Sequence, residues 1–199
     1  MKDRIILDLC GGTGAWSKPY KDAGYTVINV THPLNDVFTY HPPKNVYGVL
    51  AAPPCTMFSM ARTNAKTPRD LRGAMDIVNA CIRIIQECQY DGKRLKFWAL
   101  ENPKARLRWF LGKPVMTFNP YQFGDRYRKP TDIWGNFNEE LKETFVELTE
   151  KEKERAIGNN RRLEDLPEDY ILPDNFSARA ARRSITPAGF AQAFFKANK

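Results

Sequence analysis

The sequence predicts one α/β domain spanning residues 1–199. Three observations carry that expectation. Arg4 to Leu9 is a short apolar run that stops at Cys10-Gly11-Gly12-Thr13-Gly14, and a helical stretch opens at Ala15-Trp16-Ser17. A second apolar run, Val49-Leu50-Ala51-Ala52, is halted by Pro53-Pro54 and followed at once by Cys55. Beyond it, apolar runs and amphipathic stretches alternate along the chain, the pattern of a sheet layered with helices.

The elements follow in order. Strand, glycine turn and helix at residues 4–24 form either a nucleotide cradle or a plain tight turn. The spacing is not G-x-G-x-x-G, which turns the expectation away from a nicotinamide cofactor. Tyr25 to Val30 reads as the second strand, and Thr31 and His32 follow it. Asp36 either faces a ligand's amino group or closes an Asx turn. The Val49 strand cannot continue through two prolines, so Cys55 is expected on a stiff turn at its carboxyl end. There a thiol suits a nucleophile, although many lone cysteines are simply buried and inert. Thr56 to Lys66 is a polar loop with Ser59, Arg62 and Lys66. Thr67-Pro68-Arg69-Asp70 predicts a helix start with Thr67 as N-cap. Leu71, Met75, Val78, Ile82 and Ile85 follow at helical spacing, and Cys81 and Cys88 on the same helix are read as structural.

Lys96 to Leu100 predicts another buried strand, which leaves Glu101 at its carboxyl edge, with Asn102 and Pro103 starting the next helix. Lys104 to Leu111 reads as a short basic helix, and Met116-Thr117-Phe118 and Thr131 to Trp134 as strands. Between them, Tyr121 to Pro130 interleaves aromatic and basic side chains, including Gln122, Arg126 and Arg128. Such a mixture suits phosphate contact and base stacking, or an ordinary hairpin with a charged face. Residues 139–162 are highly charged, 163–175 read as an irregular connector, and Arg179, Arg182 and Arg183 cluster before a last helix carrying Phe190, Phe194 and Phe195.

Composition narrows the class. Hydrophobic residues make up 42% of the chain, which excludes a disordered polymer, and no apolar run is long enough to span a membrane. Net charge is +8, from 31 Lys+Arg against 23 Asp+Glu, which favours a polyanionic partner. Cysteines at 10, 55, 81 and 88 have neither zinc spacing nor the look of a disulfide framework, and the start reads as a strand rather than a signal peptide. A reducing cytoplasm and no bound metal are therefore expected.

Taken together, these stretches resemble the C5-cytosine DNA methyltransferase family, above all its short phage and prophage members. Asp8-Leu9-Cys10-Gly11-Gly12-Thr13-Gly14 resembles the family's cofactor loop, and Pro53-Pro54-Cys55 with Phe58-Ser59 its nucleophile motif. Glu101-Asn102 resembles the Glu-Asn pair, Gln122 with Arg126 and Arg128 the Gln/Arg motif, and Arg183-Ser184-Ile185-Thr186-Pro187 the late Thr-Pro segment. The motifs occur in family order across nearly the whole chain. The resemblance implies a Rossmann-like methyltransferase fold: a mostly parallel seven-stranded sheet with helices on both faces. It implies S-adenosyl-L-methionine as cofactor, held by the loop from Asp8 to Gly14 with Trp16, Thr31, Asp36 and Pro53. It implies Cys55 as nucleophile, Glu101 as partner of cytosine N3, and Arg126 or Arg128 on the O2 oxygen. Ser59, Arg62, Lys66, Gln122, Arg182 and Arg183 are expected to contact the nucleic acid, cytosine-containing DNA in a bacterial host.

Three departures bear on function. Thr31 stands where the family has an acidic ribose ligand, and Cys10 where it has a cofactor-loop aromatic. Only about fifty residues separate the arginine motif from the late Thr-Pro segment, with a reduced insert at 139–178 in place of a recognition domain, too few for an ordinary one. Specificity is then slight, or comes from a protein partner, or the substrate is RNA or a free cytidine nucleotide. A silent binding module on the same fold is the reading from a different class.

Overall fold

The computed structural model describes residues 4–60, 62–63, 65–92, 95–154, 166–173 and 177–199. Strands β1 (Ile5–Leu9), β2 (Thr26–Val30), β3 (Val46–Ala51), β4 (Phe97–Pro103), β5 (Met116–Phe118) and β6 (Thr131–Asn136) form one sheet in the order β2-β1-β3-β4-β6-β5. β2, β1, β3 and β4 are parallel, and β6 runs antiparallel between β4 and β5. Among the described residues the sheet therefore has six strands, not the expected seven. It is α/β with a mixed, mostly parallel sheet, compatible with a Rossmann-like plan.

Helices cover both faces, as expected, because side chains alternate along each strand. Leu7, Leu9, Val49, Ala51 and Leu100 point to one core, closed by α2 (Leu71–Gly92) through Val78, Cys81, Ile84, Ile85 and Cys88. Ile6, Leu50, Phe97 and Ala99 point to the other, closed by α1 (Lys18–Asp22) and α6 (Ala188–Ala197). That second core is aromatic. Phe190 stacks on Phe118 at 3.8 Å between ring centroids, and Trp16, Phe123 and Phe194 pack around it. Short helices α3 (Arg108–Leu111), α4 (Glu150–Glu154) and α5 (Ala178–Ser184) complete the described elements.

Several local expectations are corrected. Asp70, not Thr67, caps α2: its Oδ1 accepts from the Gly73 N–H at 2.9 Å. β4 runs through Asn102 and Pro103 instead of yielding to a helix, because β6 pairs with both residues. The helix at residues 15–24 shortens to α1, and the one at residues 104–111 to α3. Of the charged stretch at 139–162, residues 155–162 lie outside the described residues.

Candidate active site

Chain order and sheet order reverse direction beside β1: β1 leads to β2 on one side, and β2 leads to β3 on the other. In open α/β sheets the ligand crevice lies outside the carboxyl ends of the strands at such a switch point. Leu9 pairs with Ala51, and Ala51 with Leu100. The residues one step further out are Cys10, Ala52 and Glu101, on one edge of the sheet.

The loop after β3 is held from several sides. Asn102 donates from Nδ2 to the Pro53 carbonyl at 2.9 Å, tying β4 to the paired prolines. The Phe58 and Ser59 N–H groups both donate to the Cys55 carbonyl, at 3.0 and 2.8 Å, which folds the chain into a tight turn. Arg69 donates to the Met57 carbonyl at 2.6 Å, and Phe58 is fully buried. Cys55 itself is half-buried and belongs to neither apolar core.

Electrostatics link the thiol to the acid. Burial pushes the Cys55 thiol above its ordinary range; the Lys129 ammonium pulls it back, Glu101 adds to the rise, and Arg183 opposes it. Burial likewise pushes the Glu101 carboxyl up, against the same Lys129, with the buried Asp132 adding to the rise. A thiol after β3, a carboxyl on β4 just past its pairing with β3, and a shared cation thus act on one another.

Lys129 was not anticipated. It lies two residues before β6, in the turn where the Lys104 N–H donates to the Pro130 carbonyl at 2.8 Å, and its Nζ is 3.5 Å from the Arg183 carbonyl. The sequence signal for it was only its place in the basic, aromatic turn. By contrast, Arg126 is exposed and makes a two-pronged ion pair with Glu152, at 3.0 and 2.9 Å. Arg128 is exposed. Neither arginine is among the charges that shift Cys55 or Glu101; Lys129 acts on both groups and Arg183 on Cys55.

The glycine turn is built for close approach. Gly12 and Gly14 have φ of +54° and +71°, and a side chain on Gly11 would collide with Asp8. Asp8 is fully buried and accepts from the Ser17 hydroxyl at 2.5 Å. Its Oδ1 and the Asn29 Oδ1 are buried acceptors without a donor among the described residues, and both converge on the space above Gly11. A nucleoside cofactor bearing an amino group fits such a turn. Asp36 contributes charge to it, since its carboxylate adds to the raised pKa of Cys10, although its Oδ1 also accepts from the Phe38 N–H at 2.9 Å in an Asx turn. Cys10 places its sulfur 3.9 Å from Cys81, and that contact and burial hold its thiol well above the usual range. Next to the Cys55 loop a cleft of about 420 Å³ opens between Phe38, Pro54, Met57 and Ile77. Its Phe38 is exposed, a residue sequence reasoning passed over.

The other residues expected at the site have these surroundings. Trp16 is buried against Phe190 and Phe194 in the aromatic core. Leu9 is likewise fully buried, and Thr31 and Thr13 are half-buried at the edge of the turn. Gln122 is spent on its own loop: its Oε1 accepts from the Asn119 N–H at 2.6 Å and its Nε2 donates to Glu143. Arg62 donates to Thr67, and Lys66 is exposed. Ser59 and Arg182 are half-buried.

Asp8 gives a pH prediction. Burial pushes its carboxyl up to about 6, against the hydrogen bonds from Ser17. A folded pKa above the unfolded value means that its stability contribution is full below about pH 4 and lost as pH rises through about 6. Asp8→Asn is therefore expected to be more stable than the parent by up to roughly 3 kcal/mol above pH 7, the gap closing below pH 4. Urea unfolding of both proteins at pH 4 and pH 7.5 checks it; a gap independent of pH counts against it.

No protein-family model matches the chain, and no curated protein matches it. Among the described residues no helix is long and apolar enough to cross a membrane.

Proposed function

We propose that the chain is an S-adenosyl-L-methionine-dependent methyltransferase acting on carbon 5 of cytosine in DNA. One observation carries this reading: Cys55 after β3 and Glu101 on adjacent β4 come under the influence of the same ammonium, Lys129, on the sheet edge that also carries a glycine turn with spare acceptors. Cytosine C5 is a weak nucleophile. Addition of the Cys55 thiolate to C6 pushes electrons to C5 and makes it enamine-like. A protonated Glu101 donates to N3 and neutralises charge as the bond forms. Lys129 favours the thiolate and can bind the O2 oxygen, where charge also accumulates. The bound cofactor supplies an electrophilic methyl group, held by Asp8, the 10–14 turn, Asp36 and Phe38. Loss of the C5 proton then returns the electrons that expel Cys55. The base must leave any stack to meet these groups.

Nucleoside mass spectrometry tests the reading. DNA incubated with protein and cofactor is expected to gain 5-methyldeoxycytidine; no gain in any DNA, single- or double-stranded, sinks it. A specific observation keeps a second substrate in play. Residues 141–152 lie along the 121–126 turn, through Thr144 and Val146 N–H bonds to the Gln122 and Tyr121 carbonyls and the Arg126–Glu152 pair. These contacts hold residues 141–152 against the protein itself, and so short an insert favours weak sequence specificity and admits RNA or a cytidine nucleotide.

Lys129 and Arg126 separate cleanly. Lys129→Met removes the main charge opposing both upward shifts, so thiolate formation becomes harder. The acid limb of the kcat/KM profile should move to higher pH, with a loss of about 10–100-fold at neutral pH. Arg126→Ala breaks an exposed ion pair and should change activity by less than about threefold and stability by under roughly 1 kcal/mol. Equal losses in both variants would return the arginine to the site.

A further inference from the structure

Beyond the thiol, the same loop leads to a second built surface. Arg62, Arg69 and Arg106 gather there without a carboxylate: among the described residues none of the three is ion-paired. Arg62 donates to Thr67, and Arg69 to the Met57 and Arg62 carbonyls, at 2.6 and 3.1 Å. Partial burial and the charges of Arg106 and Arg62 lower the affinity of Arg69 for its proton, so the three guanidiniums repel one another. Beside them stands an indole. Trp109 is 73% exposed, with the Arg106 guanidinium 5.4 Å from its ring centroid, while Met60 and Phe110 are exposed close by. The patch is not loose. Arg108, the preceding residue, makes a bidentate ion pair with fully buried Asp132 at 2.5 Å, and Phe58 packs on Phe110 at 6.1 Å.

We infer that this surface seats a single strand of nucleic acid, with one unstacked base on Trp109 and neighbouring phosphates on Arg62, Arg69 and Arg106. Uncompensated guanidiniums match phosphate oxygens, and a rigid exposed indole matches a base face. In a duplex the bases already stack on each other, so the indole has nothing to receive. The inference rests on the proposed methyltransferase reading only in setting this strand beside Cys55; binding can be measured without turnover.

The test uses the full chain and a labelled cytosine-containing 12-mer offered as single-stranded DNA, as single-stranded RNA and as duplex DNA. Fluorescence anisotropy should show a single strand bound more tightly than the duplex, and the two single-stranded arms tell which sugar is preferred. Trp109→Ala should weaken it by about tenfold or more, while Trp109→Phe stays within about threefold. Arg106→Gln should reduce the slope of log K against log salt by about one. Trp109 emission should be quenched on binding in the parent and not in Trp109→Phe. Duplex-only binding, or a Trp109→Ala variant that folds and binds as the parent does, overturns the inference. Strand binding through Trp109 with no methylated product sinks the enzymatic reading alone.

Discussion

Cys55→Ser is expected to lower methyl transfer to cytosine by roughly 10⁴-fold or more, the scale seen when a covalent nucleophile is removed. The sulfur stands on a turn pinned by Asn102, Arg69 and its own carbonyl, and none of these contacts uses the thiol. The variant should therefore fold normally, with a thermal midpoint within about 2 °C of the parent. A second readout isolates covalency. A cytosine bearing fluorine at C5 can accept the thiolate and the methyl group, but it has no C5 proton to lose, so the adduct persists. Intact-mass spectrometry should find protein plus oligonucleotide with the parent and not with Cys55→Ser. A serine variant that methylates at the parent's rate would remove Cys55 from the chemistry.

Phe190→Ala is expected to cost about 3–5 kcal/mol of folding stability, the range for a fully buried aromatic. Its ring lies flat on Phe118, with an interplanar angle of 5°, and touches Trp16, Phe123 and Phe194, so no neighbour can collapse into the gap without moving another ring. The helix cannot slide to fill it either, because a side chain on Gly189 would overlap the Phe123 carbonyl oxygen. The thermal midpoint should fall by roughly 10–15 °C, and Phe190→Leu should recover part of that. A loss under roughly 1 kcal/mol in urea unfolding would mean that this aromatic core is far more plastic than its geometry suggests.

Cys55 was legible because it follows an apolar run ended by prolines, the mark of a strand leaving the sheet, and Glu101 because it follows the apolar run of β4, although β4 continues past it to Pro103. Lys129 was not, for a directional reason. It precedes a strand, and only the antiparallel course of β6 brings a strand's beginning to the edge where β1, β3 and β4 end. Local sequence carries no sign of that reversal. The packing of Trp16 was not legible because an aromatic after a glycine turn looks the same whether it faces a ligand or a neighbouring helix; its partner, α6, lies more than 170 residues away. Thr67 and Asp70 both make good caps, and side-chain geometry alone chose between them.

The reversed course of β6 couples charge placement to sheet alignment. Ile133 and Trp134 belong to opposite cores, so a slip of one residue would swap both and cannot pass unnoticed energetically. The same slip would carry the Lys129 backbone about 3.3 Å along the strand axis, away from the sulfur it serves. Hydrophobic proofreading of that alignment thus doubles as a ruler for an ionic distance, and mutations that loosen it should show themselves first as blurred pH profiles rather than as unfolding.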